Sequence, residues 1–424
     1  MGNRPHVIEK MAKNALIQTL LELHGNPRAC VYTEPLWGLS MNLCLSYASV
    51  YMLAIGLKDT EVGFIATVYM LSQVVFAFLS GPITDKLGRR ATTAVFDFLA
   101  WSVPCLIWIK AENFWFFFIA ALFNGAMKVS TNSWDCLMVE DAERSQITKI
   151  YSLVIVSGQL SALFAPIASV LVSRLTLVPA VRILYCNAFI VMGLKIGLLY
   201  FFSRETRTGL IRRRETKGQS VFALTRDYGA VLKIILSSRG SIFSLIVTAL
   251  VGAVGMINIT FWQIIVNKKL LIPDAQLPLF PMFRSILAIA FLFFVIPHLI
   301  KKSLKTPLVL GFASYILGQT ILVLAPARTP LTYAMLCLSL VFDGFGSGAL
   351  AMLAESLVAL HINAAERARV AAIQLMVIMF ATAPFGWIGG ILSDVSRSLP
   401  FVLNTVLLSF GIAATVIFYR KERG

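Results

Sequence analysis

The stretch NGAMKVSTNSWD places Asn124, Lys128, Thr131, Asn132 and Asp135 three and four residues apart in otherwise apolar surroundings. On a helix, that spacing puts all five on one face. Lys128 and Asp135 are seven residues apart, ~10 Å along a helix axis. They are therefore too distant to pair directly, and each needs a partner on another element. Two uses fit such a face: a polar stripe that joins helices, or the lining of a watery path for a charged solute. Asp343, in FDGF (342–345), is a candidate partner for Lys128 and a carboxyl that could titrate and couple solute movement to a proton. Asn42, Tyr47, Asn258, Trp262 and Gln263 are further candidate contacts, although isolated amides and hydroxyls also serve as helix–helix hydrogen bonds. Arg284 either reaches an outer surface or attracts an anion. Lys195 is expected to snorkel toward the cytoplasm. The four His and six Cys are scattered and form no CxxC pair or nucleophile–base pair. No catalytic residue, metal site or cofactor is expected, and the coupling ion would be a proton.

The elements carrying these residues follow from composition. Of 424 residues, 58% are hydrophobic and 14% charged, against roughly 45–50% and about 25% in soluble chains. So little charge cannot cover a water-facing surface, which excludes a soluble enzyme. The 30 Phe and 7 Trp exclude disorder. Twelve apolar stretches of helical length (~20 residues) lie near 36–56, 62–82, 91–109, 114–137, 148–172, 180–203, 240–266, 277–299, 306–325, 330–357, 370–393 and 399–419. Runs such as FWFFFIAALF (115–124) are apolar all round, which indicates helices rather than a barrel. The expected fold is an all-α membrane protein of twelve transmembrane helices.

With both termini cytoplasmic, inner segments hold 26 of the 37 Lys and Arg and outer segments hold 8. That bias sets the orientation and accounts for the formal charge of +16 without nucleic acid. Residues 1–34 are read as a cytoplasmic segment with an amphipathic surface helix (6–25), a frayed tail being the alternative. A six-helix bundle (35–203), a basic cytoplasmic linker (204–239), a second bundle (240–420) and a cytoplasmic tail (421–424) follow. Part of the linker, 219–235, could form a further amphipathic helix.

The halves echo one another. FNGA (123–126) corresponds to FDGF (342–345), and AER (142–144) to AER (365–367), in matching places. Between the second and third stretches stands GPITDKLGRRAT (81–92). It resembles the signature of the major facilitator superfamily, Gly-x-x-x-Asp-(Arg/Lys)-x-Gly-Arg-(Arg/Lys), at Gly81, Asp85, Lys86, Gly88, Arg89 and Arg90. The resemblance covers the chain from about residue 35 and implies two pseudo-symmetric six-helix bundles. It implies that Asp85 latches the halves by engaging the start of the eleventh helix, where Arg367 and Arg369 are the candidates. By the same resemblance, Arg89 would meet Glu140 or Asp141. The matching loop of the second half, IKKSLKTP (300–307), lacks the acid and the glycines, so such a latch is lopsided. The Ala165-Pro166 pair departs from the Gly-Pro of drug/proton antiporters.

These readings converge on a secondary active transporter of the cell membrane. It would move a small organic solute, anionic or zwitterionic, by alternating access with proton coupling, and work as a monomer in the lipid bilayer. The alternatives are lipophilic drug efflux by proton antiport, and a non-transporting sensor or lipid-modifying enzyme on the same scaffold. No nucleotide-binding loop supports an ATP-driven pump.

Overall fold

The structure is a computed structural model and describes residues 15–221, 239–294, 304–361 and 367–421. Every regular element among them is helical. A short helix, Ala15–Glu22, precedes the first span, Gly25–Leu45, which resumes as Ala48–Ala54. Of the surface helix expected over 6–25, residues 15–22 are helical and 6–14 lie outside the described residues. The second span is Asp59–Leu87. The third is Arg89–Asp97, a π-turn over Phe98–Ser102, and Val103–Ile109. The widened turn lies just before Pro104, whose ring and missing N–H would break a regular ladder. The fourth is Phe114–Asn124 and Met127–Val139; the fifth is Arg144–Ala162 and Ile167–Leu175, interrupted before Pro166. The sixth is Leu177–Phe202, followed by a linker helix, Arg207–Glu215. In the second half the spans are Arg239–Ile264 with a π-turn to Lys269, Leu279–Phe294, Lys305–Leu324, Pro330–His361, Arg367–Thr382 with Pro384–Val395, and Leu399–Lys421. Ten of these twelve are long and apolar enough to cross a bilayer unaided. The first is broken at Ser46–Tyr47, and the described part of the eighth has 16 residues. The possible helix at 219–235 lies almost wholly outside the described residues.

Within the first half, span one packs on spans five and six, and span four on spans two and three. Within the second, span nine packs on ten and twelve, and span seven on ten and twelve. The halves meet through spans two and eleven, five and eight, and one and seven. Large apolar side chains such as Ile259 and Phe380 face outward, as expected where the surrounding solvent is hydrocarbon.

The core is distributed unevenly along the bundle axis. At the end away from the 81–92 loop, one continuous apolar core joins both halves, including Tyr47, Tyr51, Phe117 and Tyr185 with Phe261, Trp262, Phe280 and Phe401. At the loop end each half has its own cluster. Leu137, Met138, Ile150 and Leu199 serve the first, and Phe243, Leu308, Phe312 and Leu408 the second.

Candidate functional site

The 81–92 loop organises a dense charged cluster at its end of the bundle. The helix of span two stops at Gly88, whose φ of +89° is a conformation that side chains other than glycine's disfavour. Span three starts immediately, so Gly88 occupies its N-cap with no side chain to offer. Glu205, from the linker, takes that role. Its carboxylate accepts from the backbone N–H groups of Arg89 (2.8 Å) and Arg90 (3.2 Å), where the helix dipole favours an anion. Arg89 is almost fully buried. It donates through Nε and Nη2 to Glu140 (2.9–3.1 Å) and through Nη1 to Asp85 (3.0 Å). Arg90 donates to the carbonyl of Tyr200 and lies 3.9 Å over its ring. Lys86 donates to the carbonyl of Gln219 at 2.9 Å. Of the two acids expected to meet Arg89, Glu140 does so; Asp141 instead accepts from the backbone N–H of Arg207 at 3.5 Å. Asp85 also faces Arg212 of the linker helix at 3.7 Å. The side chains of Arg367 and Arg369 lie outside the described residues. Gly81 lies in open space.

At the other end, the seam between the halves is made of backbone contact and short polar side chains. A Cβ added to Gly63 would collide with the carbonyl of Gly386, and the Cα of Gly390 is nearly as close. Thr67 donates to the carbonyl of Ala383 at 2.7 Å and accepts from Trp387 N–H at 2.9 Å. Asp59 accepts from Ser393 at 2.6 Å and lies 3.5 Å from Arg397; Thr60 donates to Asp394. Gly386 and Gly390 of APFGWIGG (383–390) are thus packing surface against span two, and Gly389 packs on Phe261 and Ile257 of span seven.

The expected polar face of span four divides. The helix is interrupted at Gly125 and Ala126, so Asn124 does not continue the face of 127–139. It is buried and donates to the carbonyl of Ala100 in span three at 2.6 Å. Asn132 donates to Thr84 of span two at 3.1 Å. Lys128 and Asp135 remain half-buried, with no hydrogen bond or ion pair among the described residues, and Thr131 between them is exposed.

Asp343 does not pair with Lys128. It is buried and accepts from the Gln319 amide at 2.9 and 3.0 Å. Gln319 also accepts from Asn404 at 2.8 Å and approaches Asn258, which donates to the Tyr315 hydroxyl at 3.1 Å. Four helices of the second half therefore converge on one carboxyl. The expected repeat is exact here: residues 124 and 100 each precede 343 and 319 by 219 positions. Both members of the pair face the third helix of their own half rather than the space between halves. Arg284 is exposed and stacks over Trp262 at 5.6 Å, and Trp262 packs on Phe280. It makes no hydrogen bond or ion pair among the described residues. Gln263 is half-buried, Tyr47 lies in the joint core, and Asn42 donates to the Gly38 carbonyl of its own helix.

Lys195 does not snorkel. It forms a 2.5 Å ion pair with Asp97 of span three, each side chain 4% exposed, and Ser130 of span four donates to the same carboxylate. A lone acid and a lone base in separate apolar stretches were the available signal for this pair. Glu205, Thr206 and Arg212 carried no such signal, being charges and hydroxyls in a long hydrophilic segment. Among the described residues no cluster of His, Cys, Asp and Glu could hold a metal ion.

The sequence model of the Major Facilitator Superfamily matches residues 36–331. No curated protein is similar in sequence. Among solved structures, that of a point mutant of the nucleoside transporter NupG is 15% identical, covers 93% of this chain and 100% of its own, and has a TM-score of 0.74. A POT family transporter in complex with 5-aminolevulinic acid is 14% identical, with coverages of 92% and 94% and a TM-score of 0.66. The human organic anion transporter MFSD10 (TETRAN) is 12% identical, with coverages of 95% and 100% and a TM-score of 0.62. At these identities the likeness is one of fold.

Proposed function

The chain belongs to the Major Facilitator Superfamily, and from that premise we propose that it is a secondary active transporter moving a small anionic or zwitterionic organic solute by alternating access, coupled to protons. This reading is supported by the polar face Lys128–Thr131–Asp135, half-buried to exposed, in a bundle whose halves, among the described residues, share an apolar core at one end only. An unpaired cation inside a membrane bundle is costly unless it borders water or a ligand. Lys128 from one half and Arg284 from the other supply two such cations, which favours an acidic solute over a lipophilic one. An organic anion transporter, MFSD10, is among the proteins sharing the fold.

The loop end is cytoplasmic in this reading, because the basic segments gather there. With the opposite seam closed, the described state faces the cytoplasm. Asp343 is the proton carrier. Among the described residues its carboxyl is held by an amide and forms no ion pair, so a proton can come and go without breaking one. Asp85 has a separate task. It changes partner from Arg212 to the start of span eleven when the cytoplasmic end closes. The protein acts as a monomer in the cell membrane, with both termini cytoplasmic.

Uptake of radiolabelled organic anions, zwitterions and lipophilic cations into proteoliposomes, with and without a pH gradient, tests this. Gradient-sensitive flux of an acidic solute is expected. Lys128→Gln should reduce it at least tenfold, and Asp343→Asn should remove its response to the gradient. Absence of gradient-sensitive flux across the panel would favour a sensor or enzyme on the same scaffold.

A further inference from the structure

The linker helix Arg207–Glu215 has two unlike faces. One is docked: Gly209 is buried against Glu205 and Arg89, and Arg212 points to Asp85 and Glu215. The other carries Arg207, Leu210, Ile211 and Arg214, spaced at i, i+3, i+4 and i+7, and all four are exposed. Neither Arg207 nor Arg214 has an acidic side-chain partner among the described residues, and Glu215 is engaged by Arg212. Two exposed leucine-type side chains framed by two arginines form an unfavourable surface to leave in water.

Its place in the chain explains it. Span six ends in Phe201 and Phe202, 80% and 70% exposed, as expected of a span's last residues at the edge of the hydrocarbon. The linker helix starts five residues beyond that edge, the depth of the lipid headgroups. A helix lying there inserts its apolar side chains at the acyl boundary and sets its arginines among phosphates.

We propose that this face is a docking surface for anionic phospholipid headgroups of the adjacent leaflet, with Arg207 and Arg214 binding the phosphates and Leu210 and Ile211 resting on the acyl chains. Charge complementarity selects anionic over zwitterionic lipid. The docked face transmits the consequence, since the same helix holds Arg212 on Asp85, and Thr206 hydrogen-bonds Glu140, the partner of Arg89. Lipid on one face therefore steadies the charged cluster on the other. This surface does not depend on what the protein transports.

The test uses the full-length protein in detergent, titrated with dioleoylphosphatidylglycerol or dioleoylphosphatidylcholine while its thermal unfolding midpoint is followed. The wild type should gain stability with phosphatidylglycerol at far lower concentration than with phosphatidylcholine. Arg207→Gln/Arg214→Gln should raise the required phosphatidylglycerol concentration on the order of thirtyfold, from the known attraction per basic residue near an anionic surface. Leu210→Ser/Ile211→Ser should weaken the response while leaving the charge intact. Lys110→Gln/Arg174→Gln, at the far end of the bundle, should leave it unchanged. The same phosphatidylglycerol requirement for wild type and the arginine variant, equal responses to the two lipids, or the same stabilisation by inorganic phosphate alone would each overturn the proposal. Should the arginine variant not fold, Arg207→Lys/Arg214→Lys with an unaltered response and Leu210→Ser/Ile211→Ser with a weakened one would support it; an undiminished response in the latter would overturn it.

Discussion

The two ends of this bundle are built on different physics. Away from the 81–92 loop, the halves meet through glycine backbones, threonine hydroxyls and a shared apolar core. At the loop end, arginines and acids abound, but the described contacts tie the first half to itself and its linker. Close backbone packing is short-ranged and nearly all-or-none, so it suits a seam that must part along its whole length. Charged groups with several possible partners suit a place where partners are exchanged. The density of polar contacts is therefore no guide to which end holds the halves together.

Three substitutions test that contrast. Arg89→Ala should have the largest effect. It leaves Glu140 and Asp85 without their buried cation and should cost about 3–5 kcal/mol, read as a lower unfolding midpoint in detergent. Because the loss is internal to one half, it should leave the opposite seam intact. Gly63→Leu comes next. The added side chain has no room against Gly386 and Gly390, and overpacking costs roughly 1–3 kcal/mol. That cost falls on the closed seam, so under the proposed alternating access it should shift the balance between states by about five- to 150-fold rather than unfold the protein. Spin labels on Lys110 and Arg328, in a background with Cys186 and Cys337 replaced, should report a longer distance; an unchanged distance distribution would mean the seam is not what holds the end closed. Arg397→Gln should be the mildest, since its partner Asp59 keeps Ser393 and Arg397 itself is 41% exposed. A shift under about 1 kcal/mol is expected in the same distance measurement.

Much of the architecture was legible because it rests on composition. Twelve apolar stretches and a loop of fixed pattern require no tertiary knowledge. The equivalence of Asn124 and Asp343 was legible from two short echoes, FNGA and FDGF. Their orientation was not. A periodic face assumes an unbroken helix, and the interruption at Gly125 turned Asn124 away from Lys128 toward span three. Lys195 stands seven residues from its helix end, within reach of water by length alone. Only the fold reveals that Asp97 lies at its depth on the neighbouring span. The linker was least legible. Glu205, Thr206 and Arg212 belong to a stretch in which nearly every residue is hydrophilic, and nothing in its pattern says which of them folds back onto span three. The glycines of 383–390 were visible, but their counterpart Gly63 is a single residue in another helix, more than three hundred positions away in the chain.

The register of 219 residues has a genetic consequence. Asn124 and Asp343 hold corresponding stations in the two halves, each turned to residue 100 or its counterpart 319. Codons for asparagine and aspartate differ by a single base. One base change could thus add or remove an ionisable group at either station, leaving the other half's station as it stands.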